Sequence, residues 1–370
     1  YFLWRTTMRY KNIFALLLAL ALLCGSLSGC ASERQTEPAE PTVSFTDSLG
    51  RTVDIPETLT RVAPSGAVAS MFLATIAPEY MTTINATPSS SQYKYLDPRL
   101  IDLPTTGQMY GSKSTLNLES ILTSGAQVVI DLGDKKDNMA ADLDALQRQI
   151  GMPVIFIEAG LPHMAEAYRT LGNILSGKEA RGEELAAFVE ETVSMAKENA
   201  LKIQDAERIS VLYTSGSSGL NTNAKGSIQA QVLDLMGIEN AAVVEDVSNK
   251  GGGNPINLEQ LYRFDPDVIL FTAGSTYSTA ADDEAWQPLR AIEAGRYYEI
   301  PSMPYNWLSN PPSLNMLLGV WWLGNLLYPQ YYAYDMVEKT QEIFRLLWSY
   351  DLSADEARAM LANSTLKGTP

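Results

Sequence analysis

EARGEELAAFVEETVSMAKENALKIQ, residues 179 to 204, is the stretch on which the reading of this 370-residue chain turns. It has no proline and one early glycine, and it sets Leu185, Phe188, Val189, Thr192, Val193 and Ala196 at helical spacing. The longest helix of the chain is predicted here. Working outward, Val128-Val129-Ile130 and Val154-Ile155-Phe156-Ile157 precede it, and Val211-Leu212-Tyr213 and Val268-Ile269-Leu270-Phe271 follow. These are compact β-rich runs bounded by Gly, Pro or charged residues, with helical patterns between them, as in parallel sheets covered by helices. The expected fold class is therefore α/β: two α/β lobes with mainly parallel sheets, joined by one long inter-lobe helix. The lobes are expected over 42–178 and 205–330, with the connector at 179–204 and C-terminal helices over 331–370. The last of these opens on a capping box, Ser353 with Glu356.

A weak internal repeat follows the same division. NLESILTSGAQVVI (117–130) aligns without gaps to NLEQLYRFDPDVIL (257–270), each a helix start with an acid in its first turn, followed by a buried strand.

Composition narrows the function classes. Apolar residues make up 46% and charged residues 19%, enough for a sizeable core, and the formal charge is −16. The first thirty residues hold Arg5, Arg9 and Lys11 and no acid, so the remainder is more acidic still. Nucleic-acid binding, which needs a basic face, is disfavoured. The single histidine, His163, has no neighbours in metal spacing and reads as a surface residue, and the two cysteines, Cys24 and Cys30, lie at the N-terminus. Disulfide scaffolds, cysteine zinc modules and thiol nucleophiles are excluded downstream.

Residues 8 to 30, MRYKNIFALLLALALLCGSLSGC, place Arg9 and Lys11 ahead of an apolar run from Ile13 to Leu23. This is a secretory signal pattern over 1–29 with Met8 as its start, since the run is shorter than the roughly twenty residues that span a bilayer. Leu27-Ser28-Gly29-Cys30 is similar to the bacterial lipobox, which makes Cys30 the expected lipidation site and 30–41 a polar tether.

Other motifs carry less. Gly172 to Lys178, GNILSGK, has P-loop spacing, but Glu179 stands where a magnesium-binding hydroxyl is needed and a helical pattern precedes it. Lys250 to Pro255, KGGGNP, reads as a loop, whereas Ser215 to Gly219 follows a strand and could line a cleft at its carboxyl end. There is no G-x-S-x-G elbow, and no spacing among the acids selects a catalytic pair. The loop Pro304 to Pro312, PYNWLSNPP, mixes rings with amides and suits a cleft wall.

Taken together these parts resemble a substrate-binding lipoprotein of an ABC importer, of the type that binds ferric siderophores, haem, cobalamin or, in some branches, molybdate or tungstate. The resemblance rests on the lipobox ending at Cys30, the hairpin segment Asp47 to Pro56, the two NLE elements, WQPLRAIEAGRYYEIP (286–301) and SLNMLLGVWWLGNLLYP (313–329). It implies ligand held in a shallow cleft between the lobes, with Ser65, Gly66, Met109, Tyr110, Tyr213, Ser215, Trp286, Tyr305 and Trp307 as cleft positions. It also implies that Glu119 and Glu259 pair with arginines of the permease. Read from the residues alone, each is a helix-dipole acid worth about 0.3–1 kcal/mol.

The expected function is capture of a metal chelate, a ferric siderophore or haem-like compound, with the same receptor role for cobalamin or a molybdate or tungstate oxyanion as the alternative. No enzyme activity and no resident cofactor or metal are expected. The expected partners are the permease and its ATPase, a small-molecule chelate and, through the lipid, the outer face of the bacterial cell membrane. The chain is expected to be monomeric. A surface-anchored cleft enzyme and a sensor or adhesion module are the competing classes.

Overall fold

Strand burial follows directly from the side chains. Thr52–Pro56 (β2) alternates exposed and buried residues, and pairs antiparallel with Thr42–Thr46 (β1) around the turn at Asp47 to Arg51. The other early strands are mainly apolar and mostly buried: Val62–Pro64 (β3), Val128–Gly133 (β4) and Val154–Glu158 (β5) form a three-stranded parallel sheet in that order. The computed structural model describes residues 40–110, 115–249, 251–309 and 311–366. The expected signal segment, Cys30 and nearly all of the tether lie outside them.

Helices cover this sheet: α1 (Ala67–Ile76), α2 (Leu118–Thr123), α3 (Met139–Ile150) and α4 (Met164–Ile174). The long helix follows as α5 (Glu179–Ala200), four residues shorter than the pattern predicts. It stops because Leu201 finds no apolar neighbour and faces water, while Gln204 caps a separate short turn with Glu207.

The second sheet combines Ser210–Ser215 (β6), Asn221–Thr222 (β7), Glu239–Asn240 (β8), Asn254–Pro255 (β9), Val268–Phe271 (β10) and Tyr297–Glu299 (β11). Its order is β11-β10-β6-β7-β9, with β8 also on β6. β11, β10, β6 and β8 run parallel, and the edge through β7 and β9 is antiparallel. Helix α6 (Leu258–Phe264) leads into β10 as α2 leads into β4. The C-terminal helices are α7 (Asn315–Leu327), buried at every position but Asn325, α8 (Met336–Trp348) and α9 (Ala354–Leu361), the last with its Ser353–Glu356 capping box in place.

Helix α5 earns its connecting role through contacts at both ends. Near its start Gly182 lies so close to Gly172 of α4 that a Cβ would stand 2.6 Å from the Tyr168 carbonyl, and Arg181 donates to the Thr75 carbonyl at the end of α1. The P-loop-like GNILSGK is this helix junction. Further along, Trp321 Nε1 of α7 donates to the buried Thr192 hydroxyl at 3.0 Å, and Asn199 donates to the Tyr331 carbonyl. Two α/β lobes with mainly parallel sheets are thus tied by one rod, at whose start Arg181 also donates to the Leu346 carbonyl of α8. No described helix is long and apolar enough to cross a membrane.

Candidate functional site

Loops at the carboxyl ends of the first sheet's strands meet loops of the second half around a cavity of about 410 Å³. The first half lines it with Ser65 and Gly66 at the entry to α1, Tyr110, and the end of β4 from Asp131 to Lys136. The second half supplies Ile228, Gln229, Asn249, Gly251, Pro311 and Pro312. Gly251 also belongs to an adjoining hollow of about 320 Å³, lined by Tyr213, Ser215, Asn223, Thr272, Asn306 and Ser309. No arginine lines either cavity among the described residues.

At the floor, Asp131 is the one charged residue in the otherwise apolar buried strand β4, and only 5% of it is exposed. Ser65 donates its hydroxyl to Asp131 Oδ1. Asp131 Oδ2 has no hydrogen-bond partner among the described residues. Burial pushes this carboxyl up to about 6, against the opposing pull of the Ser65 hydrogen bond and the Lys136 charge. Lys136 Nζ sits 4.7 Å from the centre of the Tyr110 ring, a cation–π distance, and Lys135 pairs with Glu158 at 2.8 Å. Burial, with Asp131 nearby, also raises the Tyr110 phenol well above its ordinary value, and its hydroxyl too lacks a partner. Helix α1 is N-capped by Gly66, which has no side chain to offer its first N–H groups, and Ala67 to Ala69 of that first turn line the cleft.

Of the positions implied by the resemblance, Ser65, Gly66 and Tyr110 line the main cavity, and Tyr213 and Ser215 line the adjoining one. The Tyr213 hydroxyl lies 3.0 Å from Ser309 Oγ, and burial pushes it up to about 12. Met109 faces an outer hollow with Leu116, Leu118 and Leu146, while its N–H donates to the Ser65 carbonyl. The large rings lie elsewhere. Trp286 is 2% exposed and packs edge-on to Phe271 at 5.0 Å, over Gly219, whose φ of +68° and close approach admit no side chain. Trp307 is wholly buried, with Nε1 donating to the Met303 carbonyl, and Tyr305 is half-buried against the core. The 304–312 loop reaches the two cavities through Pro311, Pro312, Asn306 and Ser309 instead.

Sequence reading missed Asp131, which ends an apolar run and so looks like its boundary, and Gln229, which sits in a short turn without any pattern. His163 stands exposed at the start of α4, its Nε2 3.7 Å from Glu158 Oε1.

Away from the cleft, the two NLE elements have the same build. Asn117 and Asn257 cap α2 and α6, accepting from Ser120 N and Gln260 N. Glu119 and Glu259 are exposed, the latter 2.9 Å from the equally exposed Arg263. Three residues beyond each acid, on the same helix face, an apolar side chain is left in water: Leu122, 52% exposed, and Tyr262, 41% exposed.

Comparison with known proteins adds to this geometry. The chain is 23% identical over 300 residues to the Fe(3+)-citrate-binding protein YfmC of Bacillus subtilis, covering 78% of this chain and 90% of that one. It is 22% identical over 315 residues to the putative ABC transporter substrate-binding lipoprotein YhfQ of the same organism, covering 82% and 93%. Among solved structures, an ABC transporter solute binding protein from Sulfurospirillum deleyianum superposes with a TM-score of 0.78 at 25% identity, over 86% of this chain and 99% of that one. The sequence pattern of the periplasmic binding protein family matches residues 62–304, a span that holds both sheets, the connecting rod and nearly all of the cleft lining, and the chain belongs to that family.

Proposed function

We propose that this protein is an extracytoplasmic receptor, anchored through a lipid on Cys30, that captures a compact polar metal chelate and passes it unchanged to an ABC permease. The observation that carries this reading is the cavity of about 410 Å³ lined from both sides of the connecting helix, a size suited to a small molecule. The name of the YfmC relative, which binds ferric citrate, supports an iron chelate, and that of YhfQ supports the lipid anchor. Among the described residues no cluster of three His, Cys, Asp or Glu side chains could hold a bare ion, which favours a metal arriving with its own ligands. Among the described residues Tyr110 is the one aromatic ring on the main cavity wall, so a flat macrocycle such as haem or a corrinoid would have a single side chain to stack on there.

A second reading, a molybdate-like oxyanion, is favoured by one feature: the uncapped start of α1 at Ser65 and Gly66. A thermal-shift panel with ferric citrate, a ferric trihydroxamate, haem, cobalamin and molybdate separates the readings, because a ligand that prefers the native state raises its melting temperature. A rise with a ferric chelate alone is expected. A rise with haem, cobalamin or molybdate and none with either chelate overturns the proposal.

Glu119 and Glu259 are the proposed contacts with the permease. Their exposure, their shared place in an asparagine-capped first turn and the neighbouring Leu122 and Tyr262 support a doubled acidic and apolar docking surface.

A further inference from the structure

We infer that the ligand of this cleft presents hydrogen-bond donors, hydroxyl, amide N–H or metal-bound water, to two buried oxygens of its lining residues that have no partner among the described residues, Asp131 Oδ2 from the first half and Gln229 Oε1 from the second. The inference rests on the receptor reading above and narrows its ligand class.

The two oxygens are alike in three respects. Both belong to side chains that are almost wholly buried, 5% exposed for Asp131 and 4% for Gln229, and both residues line the main cavity. Neither oxygen has a hydrogen-bond partner among the described residues. In each case the rest of the side chain is already held. Asp131 Oδ1 accepts from Ser65, and Gln229 Nε2 donates to the Asn249 carbonyl at 3.1 Å. That second bond decides the amide orientation, because a carbonyl can receive only from the nitrogen. The unmet atom of Gln229 is therefore an acceptor, and an ionised Asp131 can be nothing else.

A buried acceptor left unmet carries its full desolvation cost, so ligands are sorted by whether they bring donors. A bare tetrahedral oxyanion brings none. It would leave both oxygens unmet and set a like charge beside Asp131, in a lining where Lys135 is already paired with Glu158 and the two lysines are balanced by Asp131 and Asp134. A chelate with hydroxyl, amide or bound-water donors on its surface satisfies both oxygens at once, one from each lobe. The Tyr110 hydroxyl, also without a partner among the described residues, can donate to an oxygen of the same chelate. Recognition by groups on both sides would make donor matching a condition for bridging the lobes.

The test is calorimetric titration of the full-length chain at pH 7.5 with ferric citrate, ferrioxamine B and sodium molybdate. At least one of the two ferric chelates is expected to bind and molybdate is not. Asp131→Asn replaces the acceptor with a donor at constant shape, and should weaken the bound chelate by about ten- to hundredfold. Gln229→Met, which removes the second oxygen without changing side-chain length, should weaken it by about tenfold. It decides the matter alone if the first variant does not fold. Chelate affinity unchanged in the folded variants overturns the inference and leaves the receptor reading standing. Molybdate binding more tightly than either chelate overturns both, and so does the absence of binding by all three probes.

Discussion

The first NLE element and the second run in step from cap to strand and then part at one position. Asn117 and Asn257 cap their helices, Glu119 and Glu259 stand exposed, Leu122 and Tyr262 occupy the same place, and each helix feeds a buried parallel strand. One residue past the aligned segment the first copy has Asp131 and the second has Phe271. Both sit in buried strands, yet Asp131 takes Ser65 and faces the cleft, whereas Phe271 packs against Trp286, Tyr277 and Tyr297. A scaffold position that anchors the core in one lobe thus opens onto the cleft in the other. The shared outer face suggests one demand on both lobes, and the divergent inner position suggests that the ligand reads the lobes differently.

Exchanging the two residues breaks the comparison most severely. Phe271→Asp would lose a buried ring and strand a carboxylate among aromatics, and a loss of at least about 4 kcal/mol is expected in denaturant unfolding. A variant as stable as the parent would show that the second strand end also tolerates polarity. Next in size is the outer face. Glu119→Lys combined with Glu259→Lys should abolish ligand uptake in cells while leaving ligand affinity in vitro unchanged, and uptake at the parental rate would remove the docking role from both acids.

Asp131→Asn sharpens the comparison because stability and binding should move in opposite directions. Burial raises the carboxyl from its ordinary value to about 6, so its ionised form opposes folding. The parent is relatively more stable below about pH 4, and loses that advantage as pH rises through 6. The asparagine variant should therefore be more stable at pH 7.5 by up to about 3 kcal/mol, with the gain vanishing near pH 4. Thermal melts across that range check the sign, and a gain that persisted in acid would mean that charge is not its source. Ser65 and Lys136, which oppose the effect, set how much of it remains. Smallest of all, Arg263→Ala should change stability by no more than about 0.5 kcal/mol, since its pair with Glu259 lies in water. It should also leave Glu259 freer for a partner, measurable as unchanged or improved uptake.

What was legible in the sequence was local. Apolar spacing predicted α5 and the buried strands, and the Asn-Leu-Glu repeat and the Ser353–Glu356 box marked helix starts later found capped. Ser65, Gly66, Tyr110, Tyr213 and Ser215 were named from the resemblance, and they line the two cavities. Trp286 and Trp307 illustrate the opposite outcome. A ring in a proline-rich or loop segment has the same sequence signature whether it stacks on ligand or fills the core, and here Phe271 and the Met303 carbonyl took them inward.

The amino-acid order by itself determined which segments become helix or strand, because capping, periodicity and backbone preference act within a few residues. Tertiary structure alone decided which polar groups lose water and come to line one cavity. Asp131 sits within a strand and Gln229 in a short helical turn 98 residues away. Their common cavity comes from the packing of two lobes on α5, a long-range arrangement that no local pattern encodes.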